Sequence, residues 1–140
     1  MITEIATEDR SSGRLKQRVL DCPSHGQIVD LLQSLDGFTN TMVVLKTSDS
    51  ETLAIGGGND GLCAIDFADD LDQFLTLRRN ETIADEKEIV TGGQSAPFAK
   101  TFLIDLKIAV EMASNWSDGL PTPPEGFHWV DSREVNQADN

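Results

Sequence analysis

The stretch with the clearest look of chemistry is GGGNDG at 56–61, which matches the G-x-G-x-x-G spacing of a dinucleotide loop. Such a loop must follow a strand and open into a helix whose N-terminus faces the pyrophosphate. Here Leu62, Cys63, Ala64 and Ile65 resume a strand-like pattern, and Asp60 would set a carboxylate against phosphate. No cofactor is expected. A hairpin over 52–67 is expected instead, because Asn59, Asp60 and Gly61 tolerate the positive φ of a reversal. Gly56 to Gly58 then hold a bulge or a bare strand end.

The other reactive types are sparse. Cys22, Cys63, His25 and His128 show no CxxC or HxxxH spacing, so no metal site is expected, and both thiols read as reduced. Cys63 with His128 would make a nucleophilic pair only in an electropositive setting, which a half-buried strand does not offer. A structural thiol is expected, with His128 stacked near Trp129. Asp69, Asp70 and Asp72 lack the spacing and distal Glu of a calcium loop. Asn80-Glu81-Thr82 and Asn115-Trp116-Ser117 match the glycosylation pattern, but the N-terminal MITEIATEDRSSGR carries no hydrophobic leader. No secretory signal and no enzymatic constellation are expected.

Charge is the strongest global feature. The 140 residues hold 24 acids and 11 bases, a net charge of −13. Residues 1–24 balance, with four acids and four bases, whereas residues 60–90 hold nine acids against three bases. That polarity excludes nucleic acid and anionic membrane as natural partners and favours basic ones. No apolar run approaches the roughly 20 residues of a membrane span, and a cytoplasmic location is expected.

These residues must be positioned by a modest set of elements. Residues 1–12 are polar and aperiodic and read as a flexible tail, as do residues 131–140. RLKQRVLDC at 14–22 reads as an edge strand or a short helix, with strand preferred. Ser24 is a fitting N-cap, and Ile28, Leu31, Leu32 and Leu35 recur at helical spacing until Gly37. Strands are expected over 41–46, through the central hairpin, over 71–79 and over 88–91, with Pro97 preventing a simple ladder over 94–100. Leu106, Ala109, Val110, Ala113 and Trp116 then mark a second helix from Asp105, ended by Asp118-Gly119 and the prolines at 121, 123 and 124. The FHWV patch at 127–130 pins the chain end to the core, and Trp116 and Trp129 read as core. The expected fold is α+β: one domain over 13–130, an antiparallel, meander-like β-sheet with two main helices packed on it.

The order of these pieces carries a resemblance. MVVL at 42–45, LAIGGG at 53–58, GLCAIDF at 61–67, TGGQ at 91–94, the helix over 105–116, and Gly119-x-Pro121 before His128-Trp129 together resemble the Imm-one family of bacterial polymorphic-toxin immunity proteins. The likeness covers roughly residues 25–131. It implies a small cytoplasmic α+β protein that is no enzyme and that neutralises a cognate toxin domain, often a nuclease or nucleic-acid deaminase.

An acidic protein suits the basic active-site cleft of such a toxin. Asp69, Asp70, Asp72, Asp85 and Glu86 are the candidate toxin-facing charges, with Phe74 and Phe98 as exposed aromatic anchors. Two other functions stay open at this stage. One is a chaperone or adaptor for a secreted effector; the other is a small enzyme built from scattered carboxylates and His128. Oligomeric state is left open.

Overall fold

Apolar alternation on either side of the glycine run builds a hairpin at the centre of a broad sheet. The computed structural model describes residues 1–9 and 16–138. In chain order these form β1 (Ile2–Asp9), β2 (Lys16–Asp21), α1 (His25–Gln33), β3 (Met42–Thr47), β4 (Thr52–Gly57), β5 (Leu62–Ala68) and β6 (Phe74–Arg79). There follow β7 (Glu86–Thr91), β8 (Gln94–Ala99), β9 (Ile104–Asp105), α2 (Leu106–Ser114), β10 (Phe127–Asp131) and α3 (Ser132–Ala138).

The main sheet runs β10-β6-β5-β4-β3-β1-β2, with β9 added against β5, and every pairing among the described residues is antiparallel. β7 and β8 form a separate two-stranded sheet. Leu53 pairs with Leu45 and Phe67, and Ile55 with Val43 and Ile65, so one sheet face is continuously apolar. Ile28 and Leu32 of α1 and Ala109 and Ala113 of α2 belong to the same buried cluster as these residues. Each fully buried Leu or Ile there contributes roughly 1.5–3 kcal/mol. Trp116 meets Phe67 edge-on at 6.4 Å and Trp129 meets it at 6.3 Å, so Phe67 sits between the two indoles.

The helices begin as their sequences dictate. Ser24 Oγ accepts from Gln27 N at 3.1 Å while Gln27 Oε1 accepts from Ser24 N at 2.9 Å, a reciprocal capping box. After α1, the Asp36 carboxylate accepts from the N–H groups of Phe38, Thr39 and Asn40 and from the Thr39 hydroxyl. Burial pushes its pKa up, but these donors outweigh it and hold the carboxyl below the usual range.

Three expectations need correction. Residues 2–9 are no tail: β1 lies inside the sheet, between β3 and β2, with Ile5 fully buried. The register shifts between Ile2 and Glu4, so a bulge puts Ile2 and Ile5, three apart, on one face. That bulge erases the period of two that would have announced a strand.

Residues 132–138 likewise form α3, whose Ser132 Oγ lies 2.9 Å from Thr76 Oγ1, giving three helices rather than two. Only residues 139–140 of the expected C-terminal tail, and 10–15 near the N-terminus, lie outside the described residues.

Pro97, finally, does sit in a ladder, opposite Glu88. Counting from the closing pair Thr91 and Gln94, it falls at a non-hydrogen-bonded position, where its missing N–H removes no bond.

Candidate interaction surface

The alternation that turns Leu53 and Ile55 toward the helices turns Thr52 and Ala54 to the opposite side. Register then lines up Val19, Ala6, Val44, Ala54, Asp66, Thr76 and Val130 in one row across seven strands. A second row runs through Glu4, Lys46, Thr52, Ala68 and Phe74. Small side chains leave two hollows here. One of about 450 Å³ is lined by Ala54, Asp66, Phe74, Ser132 and Arg133; one of about 240 Å³ is lined by Glu4, Gln17, Val19, Val44 and Lys46.

The β7–β8 hairpin borders this face at one end. Thr91 packs so closely on Gly56 that a Cβ there would meet Thr91 Cγ2 at 2.7 Å. Ala64, Ile89 and Leu103 form a small second core beneath the hairpin, with Leu62 and Phe98 packed on it.

Between β5 and β6 the chain makes a loop that displays apolar side chains. Asp69 Oδ1 accepts from Leu71 N at 3.0 Å and Gln73 N at 3.1 Å, and Asp69 N donates to Gln73 O at 3.2 Å. Asp72 takes a left-handed φ of 61°. Leu71 is thereby left 82% exposed and Phe74 56% exposed, flanked by the solvent-facing Asp70 and Asp72. Val19, at 53%, extends the apolar exposure to the far edge of the same face.

The seven residues singled out from sequence therefore divide. Asp69, Asp70 and Asp72 come together on one loop, with Phe74 beside them as the first residue of β6. Asp85, Glu86 and Phe98 lie beyond the other end of β6, roughly 20 Å away at about 3.3 Å per strand residue. Phe98 is half-buried against the second core and is no exposed anchor. At that end the Asp85 carbonyl accepts from Lys100 N at 2.7 Å, and Lys87 pairs with Asp60, whose carboxyl this hydrogen bond and charge hold below the usual range. Sequence proximity gathered acids that topology separates.

Leu71, Asp66 and the Val44–Ala54 floor escaped the sequence reading. An apolar residue between aspartates was the one signal for Leu71. The floor needs cross-strand register to be seen.

Asp66 is a carboxyl of this face whose pKa is shifted upward. It is open to solvent at its rim but crowded by protein, which raises its pKa, and a 2.6 Å bond from Thr76 Oγ1 offsets only part of that. Nearby, Arg133 binds Asp131 through Nε at 3.0 Å and Nη2 at 2.7 Å, and these bonds lower the Asp131 carboxyl to about 2.

Groups with catalytic types are occupied elsewhere. Cys63 is buried, its Sγ 3.5 Å from the Ile104 carbonyl, and burial with the nearby Asp105 charge pushes its thiol up to about 12. A thiolate is therefore inaccessible near neutrality. His128 sits two strands away on β10, exposed, with Nδ1 at 2.5 Å from Asn80 Oδ1. In the glycine run, Gly58 has a φ of 102°, and a Cβ on it would lie 2.5 Å from the Leu35 carbonyl carbon. Close backbone approach explains that glycine without a phosphate.

Among the described residues, no group of three or more His, Cys, Asp or Glu could hold a metal ion. Among them, no helix is long and apolar enough to cross a membrane. Comparisons with family models, curated proteins and solved structures find no match to this chain.

Proposed function

We propose that this chain is a binding protein that neutralises a basic toxin domain in the cytoplasm, as its resemblance to the Imm-one immunity proteins implies. The observation that carries the proposal is the exposed pair Leu71 and Phe74, set among Asp70 and Asp72 at the border of an open, small-residue sheet face. Apolar anchors inserted into a partner supply most of the affinity of such contacts, while surrounding charge steers the encounter. With a net charge of −13, the natural complement is a cationic cleft of the kind that holds nucleic acid. A nuclease or nucleic-acid deaminase domain is the expected target.

The test is direct. The purified chain is mixed with the toxin-type domain encoded immediately upstream of it, and complex formation and residual toxin activity are read together. A stable complex with lost toxin activity supports the proposal. An upstream neighbour that neither binds nor carries a toxin domain overturns it.

A further inference from the structure

A groove of about 760 Å³ opens between α2 and the proline-rich segment that follows it. Ile108 and Met112, one helical turn apart, form one wall, and Leu120, Pro121 and Pro124 form the other. Its size falls within the range of ligand clefts.

The second wall is held in place. Trp116 Nε1 donates to the Gly119 carbonyl at 2.6 Å, and Trp129 Nε1 donates to the Pro121 carbonyl at 2.8 Å. Gly119 N donates to both carboxylate oxygens of Glu51, at 2.9 and 3.0 Å. Three prolines stiffen the span between, so the groove needs little ordering when something enters it.

The rim is of one sign. Glu111, Asp118 and Glu125 line it, all exposed, and the lining contains no Lys or Arg. Among the described residues, none of the three carboxylates joins an ion pair. Leu120 remains 45% exposed on the lip. Apolar patches at Ile108, Met112, Leu120, Pro121 and Pro124, set in a lining otherwise mostly polar and acidic, complement a segment that carries Lys or Arg together with aliphatic side chains. Nucleic acid is excluded by the same charges.

We propose that this groove binds such a cationic, aliphatic segment of a protein partner. It rests on the reading of the chain as a binder of basic proteins, and it adds a second contact separate from the open sheet face.

The full chain, labelled with nitrogen-15, is titrated with a blocked peptide alternating Lys and Leu, and with its Glu–Leu counterpart. Amide shifts of the wild type should concentrate in residues 108–125. The variant Glu111→Gln/Asp118→Asn/Glu125→Gln should bind the Lys–Leu peptide about ten-fold more weakly at low salt, because it removes three exposed charges of one sign from the rim. The equally discharged Asp30→Asn/Asp49→Asn/Glu81→Gln, at exposed positions outside both the groove and the β5–β6 loop, should change binding less than about two-fold.

Shifts confined to residues 69–74 or the sheet face, equal weakening in both variants, or equal binding of the Glu–Leu peptide would each overturn the groove. Because the probe is a peptide, failure here leaves capture of a whole toxin domain standing. Groove binding without any toxin complex would instead sink the functional proposal alone.

Discussion

The Asp69 carboxylate takes the Leu71 N–H at 3.0 Å, and this bond holds the β5–β6 loop so that Leu71 projects outward. Asp69 therefore shapes the display, while Asp70 and Asp72 furnish its exposed charge. Asp69→Ala should free the loop without unfolding the sheet, since each of the two hydrogen bonds its carboxylate accepts contributes about 0.5–1.5 kcal/mol. Hydrogen exchange at Leu71 and Gln73 should accelerate, with exchange in β4 and β5 unchanged. Undisturbed protection at Leu71 would show that the carboxylate does not hold the loop.

Core energetics hinge on Phe67 and its two indoles. Trp116 is only 6% exposed and touches Phe67 edge-on. Trp116→Ala should cost about 3–5 kcal/mol, a large share of the about 5–15 kcal/mol of a whole domain. Trp116→Phe should fall between, because it keeps an aromatic contact and loses the bond to Gly119. Urea denaturation measures both, and a Trp116→Ala loss under about 1 kcal/mol would contradict the packing.

Two glycines of one turn make a matched comparison. At Gly58 a Cβ meets Leu35 backbone and the φ is 102°, while at Gly61 the φ is 74° with nothing within 4 Å. Gly61→Ala should cost about 1–2 kcal/mol of left-handed strain. Gly58→Ala should cost more, because backbone must also move. Equal midpoints in denaturant would remove the close approach as the reason for Gly58.

Much of this framework was legible in the sequence. The hairpin about Asn59, the Ser24-capped helix and the Ala109–Ala113 stripe follow from local periodicity and cap chemistry, which act over a few residues. β1 was hidden because its bulge at Ile2–Glu4 breaks the period that reveals strands. β8 was obscured because the cost of a proline depends on ladder position, a property of the pair and not of Pro97 itself. The candidate surface was legible only in part. Asp70, Asp72 and Phe74 lie on it, but Asp85 and Glu86 fall at the other end of β6, and the Val44–Ala54 floor is created by register.

Asp66 sets a pH dependence with a definite sign. In strong acid both folded and unfolded chains carry its proton. The unfolded carboxyl ionises near 3.8, whereas the folded one, raised by its crowded setting, keeps the proton to higher pH. The native state thus loses stability as pH climbs from 3.8 through the folded value. Asp66→Asn, which retains an acceptor for Thr76, should melt higher than wild type at about pH 7, with the gap closing by about pH 2. Thermal melts across that range decide it, and a variant less stable near neutrality would reverse the assignment.

The central claim is that capture of a basic partner runs through the Leu71–Phe74 loop and its open face. Stopped-flow association with the upstream-encoded toxin domain tests it most directly, comparing Asp70→Lys/Asp72→Lys with Asp85→Lys/Glu86→Lys, an equal charge change at the far end of β6. The loop variant should associate about five-fold or more slowly at low salt, an effect that fades as salt rises, while the far-end variant stays within about two-fold of wild type. Equal rates for the two variants, or an unchanged rate for the loop variant, would contradict the claim.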